Sequence, residues 1–216
     1  VNLIESASIE RVEVNGVRHY KTPQGGLYPS VTTVTSTYNK KSLMEWKKRV
    51  GAAEAQKIAT KAARRGTAVH NMCEHYILGT EDTLLNPIPE NVEMFKPLKQ
   101  VLDQDVDFVQ GLESFMYSDT LKVAGTVDCV GEYKGELAVI DFKTAAKSKR
   151  KEWIKNYFMQ GSAYAKMFEE VTGHSVKQIV IAITVEGERE PQIFVENVND
   201  HIDDFIKLRQ QFEEKK

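Results

Sequence analysis

Near Phe108 the spacing of apolar residues changes from a period of about 3.6 to a period of 2, and this switch constrains the fold more than any other feature. Beyond it, Phe108 to Tyr117, Lys122 to Tyr133 and Glu136 to Thr144 read as three strands. The turn pairs Ser118-Asp119 and Lys134-Gly135 join them into an antiparallel meander. A helix is predicted over Trp153 to Val171, with Gly173 just past its end. The β-branched run Gln178 to Val185, a further strand over Gln192 to Val198 and a closing helix over Asp200 to Glu213 follow. A helix between the meander and the next strand allows a parallel crossover, so the sheet should be mixed. The fold class is then α/β in the α+β sense and not doubly wound.

Upstream of the switch the pattern is helical. Ser42-Leu43-Met44-Glu45 reads as a capping box opening a helix that ends near Gly51. A second helical run over Ala52 to Leu78 is stopped by Gly79. Gly66 in its middle costs about 1 kcal/mol relative to alanine, so a break or a close backbone approach is expected there. A short helix is predicted over Val92 to Leu102, with Pro97 counting against its first half. Arg11 to Tyr20 alternates around Asn15-Gly16, a hairpin signal, and a loop containing Pro23, Gly25, Gly26 and Pro29 follows. The expected division is a hairpin-and-loop appendage over 1–41 and a main domain over 42–216, whose residues 42–65 form a helical arch.

A chain of 216 residues with 41% hydrophobic and 28% charged residues can bury a core without staples, which excludes disordered and mini-protein readings. Its two cysteines, Cys73 and Cys129, stand outside any C-x-x-C pattern, so no zinc site, iron-sulfur cluster or disulfide framework is expected. There is no long apolar run for a membrane span, and the first twenty residues carry both charge signs. An intracellular, cytoplasmic protein without membrane association follows as the expectation. The net charge of -2 conceals a segregation. Lys40 to Arg65 holds nine basic residues against two acidic, Lys143 to Lys155 six against one, and Gly79 to Asp141 four against thirteen. Either a polyanion meets particular basic surfaces, or these are solvated helix faces.

The chemistry is concentrated in Gly125-Thr126-Val127-Asp128 and Ile140-Asp141-Phe142-Lys143. Residues two apart on a strand face the same way, so Asp141 and Lys143 share a face. A hairpin through Lys134-Gly135 brings Asp128 within reach of Asp141. Both acids sit among apolar strand residues, where unneutralised carboxylates are costly, and oxygen donors of this kind suit a hard divalent ion such as magnesium. A D-x-K spacing alone is more often a surface salt bridge. Gln160 and Tyr164 lie four apart on one helix face, as do His70 and Glu74. Glu113 either completes the metal site or occupies a solvent-facing strand position.

Taken together, Gly66-Thr67-x-x-His70, Glu113, Gly125-Thr126-x-Asp128, Asp141-x-Lys143 and Gln160-x-x-x-Tyr164 resemble the RecB-like branch of the PD-(D/E)XK nuclease superfamily. Tyr28-Pro29-Ser30-Val31-Thr32 and the Trp46 helix are similar to the N-terminal part of exonucleases of that branch, so the resemblance runs from about Tyr28 to Val185. It implies a restriction-endonuclease-like αβββαβ core with His70, Asp128, Asp141 and the Phe142 carbonyl as metal ligands. By the same resemblance Lys143 is the catalytic lysine, and Glu113, Gln160 and Tyr164 match accessory positions that would position the metal shell or the DNA backbone. Val127-Asp128 replaces the namesake Pro-Asp pair, and the cysteines of the cluster-bearing relatives are missing.

The function implied is a Mg2+-dependent DNA exonuclease, with Mn2+ as a substitute. A preference for single strands follows from basic surfaces with an embedded aromatic: Trp46, Lys47, Lys48, Arg49, Lys61, Arg64 and Arg65 on the arch, with Ser30, Thr32, Thr144 and Lys147 beside the site. No phosphate loop is present, so unwinding would come from a helicase or recombination partner in trans, and a monomer of phage or bacterial origin is expected. The rivals are a structure-specific or restriction-like endonuclease on duplex DNA and a non-catalytic DNA-binding module on the same fold.

Overall fold

A computed structural model describes residues 3–84 and 86–214. The central sheet has the order β4-β5-β6-β7-β8. Strands β4 (Val106–Ser118), β5 (Val123–Tyr133) and β6 (Glu136–Ala145) form the expected meander, and Lys134 and Gly135 turn the second hairpin with φ of 51° and 84°. The paired positive φ values give a turn whose twist matches that of the strands it joins. Helix α5 (Lys155–Thr172) then crosses over, so that β7 (Gln178–Val185) runs parallel to β6, and β8 (Gln192–Asn197) closes the edge antiparallel. Gly173 ends α5 in the left-handed conformation, φ 76°, as its position past the last periodic residue predicts.

Helices cover both faces. On one side α5 and α6 (Ile202–Glu214) enclose Val139, Ile179, Ile181, Ile183, Phe158, Phe168 and Phe205. On the other, α3 (Ala52–Leu78) and α4 (Pro89–Asp105) pack Val69, Cys73, Leu98 and Val101 against Ile140, Phe142, Val180 and Ala182. Burial from both sides explains why β7 reads as an almost unbroken apolar run. Both cysteines are free and buried, and no described helix is long and apolar enough to cross a membrane.

Several elements depart from expectation. The first cap of α2 (Lys40–Val50) is at Asn39, whose side chain donates to Asn156 and makes no capping bond, so Ser42 is an exposed residue of the first turn and not a capping box. Backbone turns supply what the box would have: the chain comes out of α1 (Val31–Ser36) through Thr37, whose carbonyl accepts from the Lys40 amide. Helix α2 buries no residue, and Gly51, φ 88°, joins it to α3. Helix α3 is continuous through Gly66, where an added Cβ would meet only the Thr144 hydroxyl at 3.8 Å. Packing of Val69, Met72 and Cys73 outweighs the ~1 kcal/mol glycine cost. Helix α4 likewise runs through Pro97, which is buried between Met94 and Leu98, while Pro89 occupies the first turn, where a missing amide costs nothing.

The N-terminal region is more ordered than a hairpin and loop. β1 (Glu10–Val14) and β2 (Val17–Lys21) pair around Asn15-Gly16, but a third strand β3 (Leu27–Pro29) adds to β2, and α1 follows. A parallel bridge from Ser30 to Ala124 fastens this sheet to β5, and Tyr20 packs its ring 4.8 Å from that of Phe115. The β3 pattern is too short for periodicity to reveal.

The tightest helix-to-sheet contact is at Gly161, where a Cβ would stand 2.4 Å from Ile179 Cγ2. Gly161→Ala is therefore expected to destabilise the fold by about 1–3 kcal/mol, the range for overpacking a dense core. Urea unfolding would check this, and the cost of Gly161→Ala should be smaller when measured in an Ile179→Ala background.

Candidate functional site

Apart from the register shift between Asp107 and Gly111 on β4, the sheet alternation fails on two neighbouring strands at facing positions. Leu112 belongs to the core under α3 and α4, whereas Met116, four residues on, belongs to the core under α5. Val127 and Cys129, only two apart on β5, also lie in opposite cores. A regular strand permits neither, so each strand slips one residue between those positions. On β4 the slip coincides with Glu113, whose φ of 44° is a left-handed value that a glutamate adopts only at a cost of about 1 kcal/mol or more. The ladder register opposes it to Asp128, between the pairs Leu112↔Cys129 and Ser114↔Val127.

On the other side of β5, pairing with β6 ends at Cys129↔Ile140, although β6 goes on beside β7 to Ala145. The strands part there, and the Asp128 carboxylate takes over the lost ladder bond by accepting from the Phe142 amide at 3.1 Å. Extended one residue past the last pair, the register would set Asp141 opposite Asp128, and the Asp141 charge acts on Asp128. Glu113, Asp128 and Asp141 therefore occupy one row across three adjacent strands.

Side chains enter this gap from both faces. From α3, His70 brings Nε2 to the Phe142 carbonyl oxygen and to 3.4 Å from Asp128 Oδ2, while its Nδ1 lies 4.0 Å from Glu113 Oε1. From α5, Gln160 donates to Asp141 Oδ1 at 3.1 Å, and Lys143 places its ammonium 2.5 Å from Oδ2 of the same buried carboxylate. The Tyr164 hydroxyl reaches the β5 backbone so closely that a Cβ on Gly125 would stand 2.8 Å from it. Gly125 thus has a steric reason to be glycine.

The electrostatics follow from crowding. Burial, then the neighbouring Asp128 charge, pushes Glu113 up to about 7; burial, then Asp141, pushes Asp128 up to about 6. Burial works against the Lys143 ammonium, yet Asp141 and Asp128 outweigh it and hold the amine protonated above its usual range. Burial and the Asp128 charge also raise Tyr164 well above the phenolic range, so its hydroxyl stays neutral.

Ligand-capable atoms of His70, Glu113 and Asp128 all lie within 4.8 Å of one another. An imidazole beside two carboxylates, each raised by burial and by a neighbouring negative charge, fits a divalent cation. Asp141 stands beside this trio, engaged by Lys143 and Gln160. Sequence reasoning missed Tyr157, whose ring lies 5.2 Å from the Lys143 ammonium. Its position three residues before Gln160 on one helix face was the available signal.

The residues expected to meet nucleic acid are spread more widely. Lys61, Arg64 and Arg65 line a groove of about 1260 Å³ between α3, α4 and residues 185–189. Arg65 ties this groove to the site through Thr144, at 3.4 Å, and pairs with Glu186 at 3.1 Å. Lys47, Lys48 and Arg49 are exposed on α2, Trp46 is half-buried beside them, and Lys147 is exposed in the loop after β6. Ser30 and Thr32 lie at the start of α1.

No family model matches the chain. Over 165 residues it is 33% identical to mitochondrial genome maintenance exonuclease 1 of Homo sapiens, covering 70% of this chain and 47% of that protein. A 45-residue stretch is 49% identical to the protein of the same name from Mus musculus, covering 21% of this chain and 13% of the relative. The chain thus spans about half the length of the human relative at most. Among solved structures, a candidate exonuclease from Eubacterium rectale superposes with a TM-score of 0.51 at 13% identity, over 70% of this chain and 65% of the other. That likeness supports the αβββαβ arrangement read from the sequence. The curated relatives are mitochondrial by name, which gives no support to a phage origin or a cytoplasmic location.

Two raised carboxylates set a pH dependence. Each binds its proton more tightly folded than unfolded, so the stability it lends is full below the ordinary carboxylate range near 4 and is lost as pH rises through about 6 and 7. The chelated protein should melt at a lower temperature at pH 8 than at pH 5.5. Mg2+ or Mn2+ should restore the difference at pH 8 and do little at pH 5.5, and Asp128→Asn should abolish the restoration. Equal melting shifts by the cation at both values would contradict the assignment.

Proposed function

We propose that this chain, a member of the PD-(D/E)XK nuclease superfamily, is a metal-dependent deoxyribonuclease that hydrolyses phosphodiester bonds from DNA ends and prefers single strands. The observation that carries the reading is the acid row of Glu113, Asp128 and Asp141, with an imidazole on one side and a protonated amine on the other. The similarity to exonucleases by name supports it.

A divalent cation held by His70, Glu113 and Asp128, with Mg2+ favoured by the oxygen-rich donors, would polarise the phosphate and lower the pKa of its water. Lys143 acts as a fixed positive charge. Asp141 and Asp128 outweigh burial and hold its amine above the usual range, so it would orient or polarise a water and offset charge on the phosphoryl oxygens. Asp141 fixes that ammonium, Gln160 fixes Asp141, and the Tyr157 ring bounds the space into which the lysine could swing. A non-catalytic module would have no reason to keep a buried acid beside a half-buried lysine.

Single-strand preference is supported by the groove along α3 and by α2, which lies exposed with Trp46 among Lys47, Lys48 and Arg49. Positive grooves with an aromatic platform grip single strands without regard to sequence.

Lys143→Ala should lower cleavage of linear single-stranded DNA by at least about a hundredfold, the scale of losing one preorganised charge at the reacting group. Binding measured with chelator should stay within a few-fold, and an active variant would refute the role. On end-labelled substrates, linear single strands should be degraded with Mg2+ or Mn2+ and not with chelator, while circular single strands resist. Cutting of circles as fast as linear DNA would instead favour the endonuclease reading.

A further inference from the structure

Arg18, on β2, is a half-buried arginine that pairs with no acid among the described residues. The β1–β2 register sets it opposite Glu13, which is exposed, yet no ion pair joins them. Its guanidinium turns inward: one terminal nitrogen donates to Ser30 Oγ at 2.9 Å and to Thr32 Oγ1 at 2.5 Å, while Nε is buried with no partner. A cation removed from water is costly unless an anion or a full set of acceptors meets it, and two hydroxyls do not neutralise a charge. The guanidinium fork is shaped for two oxygens of a phosphate or carboxylate.

The surroundings are open enough to admit one. Thr32 and Thr33, like Arg18, keep part of their surface exposed, and their hydroxyls converge with that of Ser30 at 2.7 to 3.1 Å. The place is also close to the chemistry. Ser30 bridges Ala124 of β5, next to Gly125, against which the Tyr164 hydroxyl rests. Arg18 lies near enough to Tyr164 for its charge to act on that hydroxyl, as those of Asp128 and Asp141 also do.

We infer that Arg18, with the hydroxyls of Ser30 and Thr32, forms an anion cradle that holds a phosphate of the DNA strand beside the acid row. The cradle is a binding element separate from the basic groove of α3, and it orients the strand so that the bond to be cut faces Lys143. This inference rests on the nuclease reading for the identity of the anion. The cradle itself rests only on the unneutralised guanidinium. The phosphate is either the one that ends the strand or an internal diester.

Two measurements separate the cases. Inorganic phosphate, added to the chelated protein, should raise the melting temperature of the wild type and not of Arg18→Gln. Thr32→Val, which keeps the shape and removes one hydroxyl, should give an intermediate shift, and Arg18→Lys should retain part of it. In the second, fluorescence anisotropy with chelator should show Arg18→Gln binding a linear single-stranded oligonucleotide roughly ten- to a hundredfold more weakly, the scale of a lost charge-assisted bond. Its log affinity against log salt should be flatter by about 0.7, the value for one phosphate contact on a single strand. Loss confined to oligonucleotides with a 5′ or 3′ terminal phosphate identifies an end phosphate, and equal loss on hydroxyl-ended strands identifies an internal one. A phosphate effect without any DNA binding by the wild type would sink the nuclease reading and keep the cradle. Wild-type phosphate stabilisation and an unchanged salt slope in Arg18→Gln, or a wild type that phosphate does not stabilise, would overturn the cradle.

Discussion

Mutual repulsion among carboxylates governs this structure. Glu113, Asp128 and Asp141 stand side by side across three strands, with spacing set by the sheet and not by any attraction among them. Such a row is tolerable only where each acid has its own means of relief. Asp141 has an ammonium and an amide donor, Asp128 has a backbone amide and an imidazole, and Glu113 has partial exposure and the far nitrogen of the same imidazole. The remaining imbalance appears as tightly held protons on the two acids nearest His70. On the proposed reading, a cation would take the place of those protons.

That concentration of charge requires a gap, and the gap follows from where the strands stop pairing. β6 leaves β5 after Ile140 and continues with β7, while the N-terminal sheet bridges to β5 at Ala124. The opening can be reached from both faces, which is why helices on opposite sides of the sheet both contribute to it. A site on a single face could not have combined His70 with Gln160 around the same acids.

Much of this was legible in the chain. The period change gave the meander, Lys134-Gly135 gave the hairpin that opposes Asp128 to Asp141, and the D-x-K spacing gave the ion pair. Local rules failed where tertiary packing overrode them. Gly66 and Pro97 sit inside unbroken helices because the apolar residues around them are buried, and Ser42 caps nothing because the preceding turn already satisfies the backbone. The one-residue slips at Glu113 and Asp128 were invisible, since alternation of residue types survives a slip that only changes which face they meet. Arg18 carried no pattern at all; its meaning comes from the absence of an ion pair that only coordinates can show.

Helix α3 carries Lys57, Lys61 and Arg64 along its first half and His70 on its second, with no kink between them. Thirteen residues at 1.5 Å each set Lys57 about 20 Å from the imidazole along one stiff rod. Such a rod cannot tilt at one end only. On the proposed reading, the strand in the groove and the cation at the imidazole would therefore be held by one and the same helix.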